Sequence, residues 1–149
     1  MTELRDAVVN LLANQNAAWA GGDAFAFSEC ALPNIVFTNV VGLFSVGVEP
    51  FIAQHAHIFS TIYEGSRLDQ KVANITTATE DVAIVDTLTT VTGFLLLPPG
   101  VEASNGAFQT RLEQVLVRRA DEWRVQSFHN TPVNPAAADV ARPGANCLG

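Results

Sequence analysis

The first twenty residues carry an apolar stripe with the period of an α-helix. Its members recur three or four positions apart and are Leu4, Val8, Leu11, Leu12, Gln15 and Trp19. Thr2 is a suitable N-cap and the Gly21-Gly22 pair stops the pattern, so the stripe predicts a first helix. One amide, Gln15, falls on its apolar side.

A second, shorter helix and a hairpin are predicted next. Asp23 is the N-cap of this helix and Pro33-Asn34 ends it, while its apolar side is formed by Phe25, Phe27 and Cys30. The segment IVFTNV has the composition of a strand, Val41-Gly42 suits a turn, and LFSV follows as a short return strand.

A third helix is predicted over residues 47–63, with Pro50 in its first turn, where proline is tolerated. Its apolar stripe is Phe51, His55, Ile58 and Ile62. His57 lies two positions beyond His55, so the two imidazoles project about 200° apart and cannot readily share one metal ion. We therefore expect no metal site.

After Gly65 the apolar pattern changes to period two and predicts four long strands. They are RLDQKVANITTAT, VAIVDTLTTVTGFLLL, AFQTRLEQVLVRR and EWRVQSFHN. Short polar turns at Glu80-Asp81 and Ala120-Asp121, and a Pro/Gly/Asn-rich loop over residues 98–106, separate them. Such connections between successive strands predict an antiparallel meander.

Early helices followed by a long antiparallel sheet predict an α+β fold. The length of 149 residues suits one domain, which we place at residues 1–133. The remaining residues, 134–149, are rich in small side chains, and we expect them to form a flexible C-terminal tail.

Composition narrows the classes of function. The chain is 48% hydrophobic and 15% charged, with a net charge of −7 and a single lysine, so a globular protein is expected. The acidic balance argues against nucleic acid and anionic membranes as partners. The N-terminus is unlike a signal peptide, and no apolar run approaches the length of a membrane span. Together these observations predict a soluble, cytoplasmic protein. The sequence leaves a disulfide between Cys30 and Cys147 open, and free thiols in a reducing cytoplasm are the simpler interpretation.

Polar residues at apolar positions are the candidates for chemistry. A buried Gln15 either makes a structural hydrogen bond, most simply to backbone, or forms part of a pocket wall, and the sequence leaves these alternatives even. His55 is either a satisfied core histidine, the commoner outcome, or a pocket acid, base or donor. Asn39 shares a face with Ile35 and Phe37; capping the turn is slightly favoured over a place in a pocket.

The long strands hold further candidates whose faces parity does not decide. Asp86 would be a natural proton-transfer group if it is buried, and an ordinary surface acid if it is not. Glu113 shares a face with Arg111, for which a cross-strand ion pair is the simpler account. His129 and Asn130 point to opposite faces, so at most one of them enters a given cavity. Tyr63 ends the third helix and can reach either solvent or a cavity mouth.

The order of elements, the AWAGGD junction after the first helix and the FTNVVG strand end resemble the nuclear transport factor 2-like superfamily. This superfamily includes ketosteroid isomerase, scytalone dehydratase and the SnoaL-like polyketide cyclases. The resemblance implies a cone-shaped, cystatin-like fold, in which a curved sheet wraps around the N-terminal helices and encloses an apolar pocket. It also implies a homodimer.

Five motifs are similar to those of the SgcJ/EcaC family within that superfamily: FTNVVG, HAHIFSTIYEGSRL, DVAIV, VLV and EWRVQSFHNTPV. The family is associated with enediyne and other natural-product gene clusters, and His55 matches a histidine expected in its pattern. In ketosteroid isomerases the general base is an aspartate where this chain has Asn39. Their two oxyanion donors fall near Gln15 and Glu113. An amide cannot abstract a proton at neutral pH, so the resemblance disfavours a steroid-isomerase mechanism.

These observations lead to one functional hypothesis and its rivals. The leading hypothesis is cofactor-free cyclisation, isomerisation or dehydration of an apolar polyketide or polyene intermediate, with His55 or Asp86 as the proton carrier. The main alternative is a binding protein that sequesters an unstable intermediate, and a third is a protein–protein module. The residues expected to contact the small molecule are Gln15, Trp19, Phe37, Asn39, Phe59, Tyr63, Glu113, His129 and Asn130.

Overall fold

The computed structural model describes residues 2–140, which form four helices and six strands. The helices are α1 (Thr2–Ala20), α2 (Ala24–Phe27), α3 (Val48–Phe59) and α4 (Pro135–Val140). The strands are β1 (Ala31–Thr38), β2 (Phe44–Val46), β3 (Arg67–Thr79), β4 (Val82–Thr92), β5 (Ala107–Arg119) and β6 (Glu122–Pro132). The predicted α+β class is confirmed, and the segment predicted as a tail begins with the short helix α4.

The strands form one curved sheet in the order β2-β1-β6-β5-β4-β3. The predicted meander from β3 to β6 is confirmed, since each of these strands pairs antiparallel with the next. The pairing of β1 with β6 is parallel. The first and last strands along the chain therefore lie side by side.

Several predicted boundaries are wrong. The second helix ends at Phe27, and β1 runs through Pro33-Asn34. A register shift against β6 between Ala31 and Val36 accommodates the proline there, because an irregular stretch needs no ladder hydrogen bond from it. The third helix ends at Phe59 rather than Tyr63, and β4 ends at Thr92 because Gly93, at φ +73°, turns the chain away from the sheet.

The helices pack against one face of the sheet, the inner face. On β4 the side chains directed to this face are buried: Ala83, Val85, Thr87, Thr89 and Val91. They meet the stripe of α1, where the members predicted from the sequence are all buried. The alternate side chains of β4, including Ile84, Asp86 and Leu88, lie half-buried on the opposite, outer face. Within residues 2–140, no helix has the length and apolar character that a bilayer crossing requires.

Candidate functional site

A cavity of about 110 Å³ lies between the inner face of the sheet and the helices α1 and α3. Most of its wall is aromatic or aliphatic, including Trp19, Phe27, Phe37, Phe108, Leu112 and Phe128. The exposed side chain of Val41 and the half-buried Pro98 are part of the lining and mark the mouth. Among the described residues, no aspartate, glutamate, lysine or arginine lines this cavity.

His55 is the central polar group of the wall. Its Nδ1 lies 2.7 Å from the carbonyl oxygen of Phe51, one turn earlier in α3. A carbonyl can only accept, so Nδ1–H donates and Nε2 is the unprotonated nitrogen of the neutral ring. Nε2 has no hydrogen-bond partner in residues 2–140. The sequence left open whether His55 is a satisfied core histidine or a free polar group. Nδ1 is satisfied by the Phe51 carbonyl, whereas Nε2 is free.

Five phenylalanine rings surround His55, with centroids 4.4–6.2 Å from that of the imidazole: Phe27, Phe37, Phe51, Phe59 and Phe128. This apolar cage removes water from the imidazolium form. Burial therefore lowers the pKa of His55 from 6.5 to about 4, despite the opposing hydrogen bond to the Phe51 carbonyl. The ring is neutral at pH 7.

Tyr63 and Trp19 complete the wall where α1 approaches the turn after α3. The indole Nε1–H of Trp19 donates to the hydroxyl of Ser66 at 2.8 Å, and that hydroxyl donates to the Tyr63 carbonyl at 2.7 Å. These bonds fix the indole, whose rings line the cavity. Burial raises the pKa of Tyr63 to about 12, so its phenol remains a neutral donor.

Two asparagines line the cavity and differ in their hydrogen bonding. Asn39 accepts hydrogen bonds from the backbone N–H groups of Val41 and Leu43 at 3.1 and 2.9 Å and donates to Gln54 at 3.1 Å. It therefore both caps the turn and lines the cavity. The Oδ1 atom of Asn130, in contrast, is buried and has no partner in the described part of the chain.

Gln15 does not line the cavity. It forms a reciprocal amide pair with Gln114 of β5, in which the two N–H···O distances are 2.8 and 3.1 Å, and it also accepts from Gln70 at 3.0 Å. Gln15 therefore makes structural hydrogen bonds, and its partners are side chains rather than backbone. The sequence did not identify Gln114 as the partner of Gln15, although its position between Leu112 and Leu116 on one face of β5 signals burial.

Asp86, Glu113 and His129 lie together, but on the outer face. The strand registers place Asp86 directly opposite Glu113, and Glu113 directly opposite His129. A hydrogen bond with Asp86, partial burial and the charge of Asp86 raise the pKa of Glu113, while the charge of His129 lowers it. These three residues do not line the apolar cavity, because strand alternation directs them to the outer face.

Six of the residues predicted for the site therefore line the cavity: Trp19, Phe37, Asn39, His55, Tyr63 and Asn130. Phe59 is buried behind the wall, between Trp19 and His55. The sequence missed the hydroxyls of Thr89 and Thr110, which line the cavity and hydrogen-bond to each other. The period-two alternation of β4 and β5 places both threonines on the inner face, and this is the signal that could have identified them. Cys30 is a free thiol, and Cys147 lies outside the described residues.

No family model and no curated protein matches the chain. Among solved structures, an uncharacterised protein with a cystatin-like fold from Caulobacter vibrioides superposes with a TM-score of 0.79 at 24% identity, covering 92% of this chain and 94% of the other. An NTF-2 like protein of unknown function from Shewanella oneidensis MR-1 has a TM-score of 0.68 at 17% identity, covering 85% and 98%. The chain has the nuclear transport factor 2-like fold.

A third structure with this nuclear transport factor 2-like fold is a ketosteroid isomerase-like protein from Erwinia carotovora atroseptica SCRI1043. It has a TM-score of 0.68 at 15% identity and covers 87% of this chain and 96% of its own. At these identities the likeness concerns the fold alone.

Proposed function

We propose that this protein binds a small apolar molecule, an intermediate of a cytoplasmic natural-product pathway of the enediyne or polyketide type, in the His55 cavity. The observation that carries the proposal is an aromatic wall without charges that contains one unpaired ring nitrogen. Concave apolar sites with a few placed polar groups are the usual form of small-molecule sites. The pathway class comes from the resemblance to the SgcJ/EcaC family.

The protonation states of the wall favour binding over catalysis. The pKa of His55 is lowered to about 4 and that of Tyr63 is raised to about 12. General acid–base groups work best when their pKa lies near the working pH, so both side chains are better suited to hydrogen bonding than to proton transfer. Asp86, the other predicted proton carrier, is on the outer face.

The size of the cavity limits what it encloses. An engineered apolar cavity of about 150 Å³ holds benzene, and this one measures about 110 Å³. This cavity is the smaller of the two, so it encloses no more than one ring. Any longer part of a polyene or polyketide extends through the mouth beside Val41.

Tryptophan emission provides a direct test. The chain has two tryptophans, Trp19 in the cavity wall and Trp123 outside it, so a Trp123→Phe protein reports from Trp19 alone. Titration with toluene is expected to change the Trp19 emission saturably. The added Ile58→Phe substitution, which fills space in the lining, should weaken this response at least tenfold. A response that does not saturate, or that Ile58→Phe leaves unchanged, contradicts the proposal.

Acid–base catalysis is the second candidate, and the free Nε2 of His55 favours it. Isomerisation, dehydration and cyclisation of carbonyl compounds share a proton-abstraction step next to the carbonyl group. Exchange of the α-protons of cyclopentanone with D₂O, followed by NMR, tests for a base of this kind. If His55 is the base, the native protein accelerates exchange and His55→Phe does not. Equal rates with the two proteins exclude this role.

We also propose that the chain forms a homodimer through the outer face. The registers align Val46, Val36, Ser127, Val115 and Ile84 in one row across five strands, and this mostly apolar row borders the row of Asp86, Glu113 and His129. Light scattering is expected to give twice the 15.9 kDa chain mass. Ile84→Lys should give the monomer mass, whereas Ala53→Lys, on the exposed side of α3, should remain dimeric. A monomeric native protein, or a dimeric Ile84→Lys protein, contradicts this interface.

A further inference from the structure

We propose that the molecule bound in the His55 cavity is a neutral compound that presents a hydroxyl group, an alcohol or a phenol, to the wall. This inference rests on the proposed binding function and specifies its ligand. It separates hydroxyl compounds from the hydrocarbons, ketones and carboxylates that a cavity of this size also has room for.

The absence of charge from the lining argues for a neutral ligand. Among the described residues the lining contains no ionisable side chain other than His55 and Tyr63, both of which are neutral at pH 7. A carboxylate or ammonium group would lose its hydration here without a counter-charge, which is among the most costly forms of burial. Asp86 and Glu113 are on the other face of the sheet and cannot provide one.

The unpaired polar atoms of the lining include both acceptors and donors. Nε2 of His55 and Oδ1 of Asn130 both lack partners in residues 2–140. Thr89 and Thr110 bond to each other, and Asn39 bonds to two backbone N–H groups and Gln54. In contrast, the hydroxyl of Tyr63 and the amide N–H groups of Asn130 and Gln54 have no partner in the described part of the chain. Leaving a buried acceptor unpaired costs free energy. The cavity is therefore complementary to a group that donates as well as accepts hydrogen bonds.

A hydroxyl group fits this set of atoms better than a carbonyl group does. It donates to either free acceptor, and its oxygen can accept from Tyr63, whose hydroxyl has no partner in the described part of the chain. A ketone can only accept, so it leaves both acceptors unpaired. A hydrocarbon has no polar group and leaves both acceptors unpaired as well. Sites that pair with a substrate hydroxyl discriminate strongly against analogues that lack it.

The surroundings of the mouth indicate that the rest of the molecule is apolar. Val41 is 47% exposed in the lining, and Leu95 and Leu96 are 69% and 65% exposed in the loop after β4. The backbone N–H of Leu95 donates to the carbonyl of the lining residue Ile62 at 2.8 Å, which holds this loop beside the cavity. A hydroxylated group enclosed in the cavity would thus extend into an apolar rim.

The test compares p-cresol with p-xylene, in which a methyl group replaces the hydroxyl group. Dissociation constants are measured by NMR titration for the native protein and for the His55→Phe/Asn130→Leu double variant. The hydration of each compound is the same in both titrations. A change in the ratio Kd(p-xylene)/Kd(p-cresol) between the two proteins therefore reports only the interactions with the cavity wall. We expect this ratio to fall at least fivefold in the double variant, while p-xylene affinity changes less than threefold. The carboxylate p-toluate should bind the native protein at least tenfold more weakly than p-cresol.

The outcomes separate this inference from the function on which it rests. A ratio that falls less than fivefold, or p-toluate binding as tightly as p-cresol, overturns the hydroxyl inference and leaves the binding function standing. Failure of both p-cresol and p-xylene to bind the native protein overturns both. If the double variant does not fold, as judged by its circular dichroism melt, the same criterion is applied to the His55→Phe and Asn130→Leu single variants.

Discussion

Replacing His55 with phenylalanine is expected to stabilise the protein by about 3 kcal/mol more at pH 4 than at pH 7, as calculated from the lowering of its pKa from 6.5 to about 4. Because the folded protein binds a proton at His55 less readily than the unfolded chain does, protonation favours unfolding. The stability that the neutral ring contributes is complete above pH 6.5 and is lost as the pH falls toward 4. Phenylalanine has no group that binds a proton, and its ring packs well among the surrounding phenylalanines.

Urea denaturation from pH 7.5 to pH 4 measures this effect as a difference between native protein and variant. Other acid-sensitive groups are common to both proteins and cancel in the difference. His57→Gln is the matched control, since His57 is on the exposed side of α3. Its replacement should change the free energy of unfolding by the same amount at pH 7.5 and at pH 4. A His55→Phe difference that does not change with pH would contradict a buried, neutral His55.

Gln15→Leu is expected to destabilise the protein by about 3 kcal/mol, because it leaves the buried amide of Gln114 without a partner in the described chain. Gln114→Leu should cost less, about 1–2 kcal/mol, since Gln15 keeps its hydrogen bond from Gln70 and its contact with the Cys30 sulfur. In the double variant both amides are replaced by apolar groups, and part of the loss should be recovered.

A double-mutant cycle from urea denaturation quantifies this coupling. We expect an interaction free energy of about 1–3 kcal/mol between the two positions. Gln126→Leu provides the control, because its amide reaches only the exposed Asn34 and its loss should cost less than 0.5 kcal/mol. Additive effects of the two single substitutions would show that the amide pair is not an energetic unit.

Elements with a single apolar face were predictable from the sequence. The stripe of α1 and the bounds of β3 and β5 follow from residue periodicity, because the apolar positions of each fall on one face. This face is buried in α1 and β5 and half-buried in β3. The ends of α2 and β4 were not predictable from local pattern. A register shift beside β6 allows β1 to include Pro33, and the conformation of Gly93 ends β4 although apolar residues follow.

Residues of the candidate site were predictable only where the local helical or strand pattern determined the direction of the side chain. His55 and Trp19 follow from helical stripes, and strand alternation correctly separated His129 from Asn130. Asp86 was ambiguous because β4 is apolar on both faces, and only the position of the helices distinguishes inner from outer. The ketosteroid isomerase comparison assigned an oxyanion position to Glu113, whereas the inward residue beside Gln15 is its neighbour Gln114. A shift of one residue exchanges the two faces of a strand.

The parallel pairing of β1 with β6 also has a consequence for folding during synthesis. Phe37 pairs with Phe128, so strand β1 acquires this neighbour only after nearly the whole domain has left the ribosome. Until then α1, α2 and α3 have no complete sheet on which to bury their apolar faces. Long-range pairings of this kind fold slowly and expose apolar surface in the meantime. The nascent chain is therefore expected to be most prone to aggregation before β6 has been synthesised.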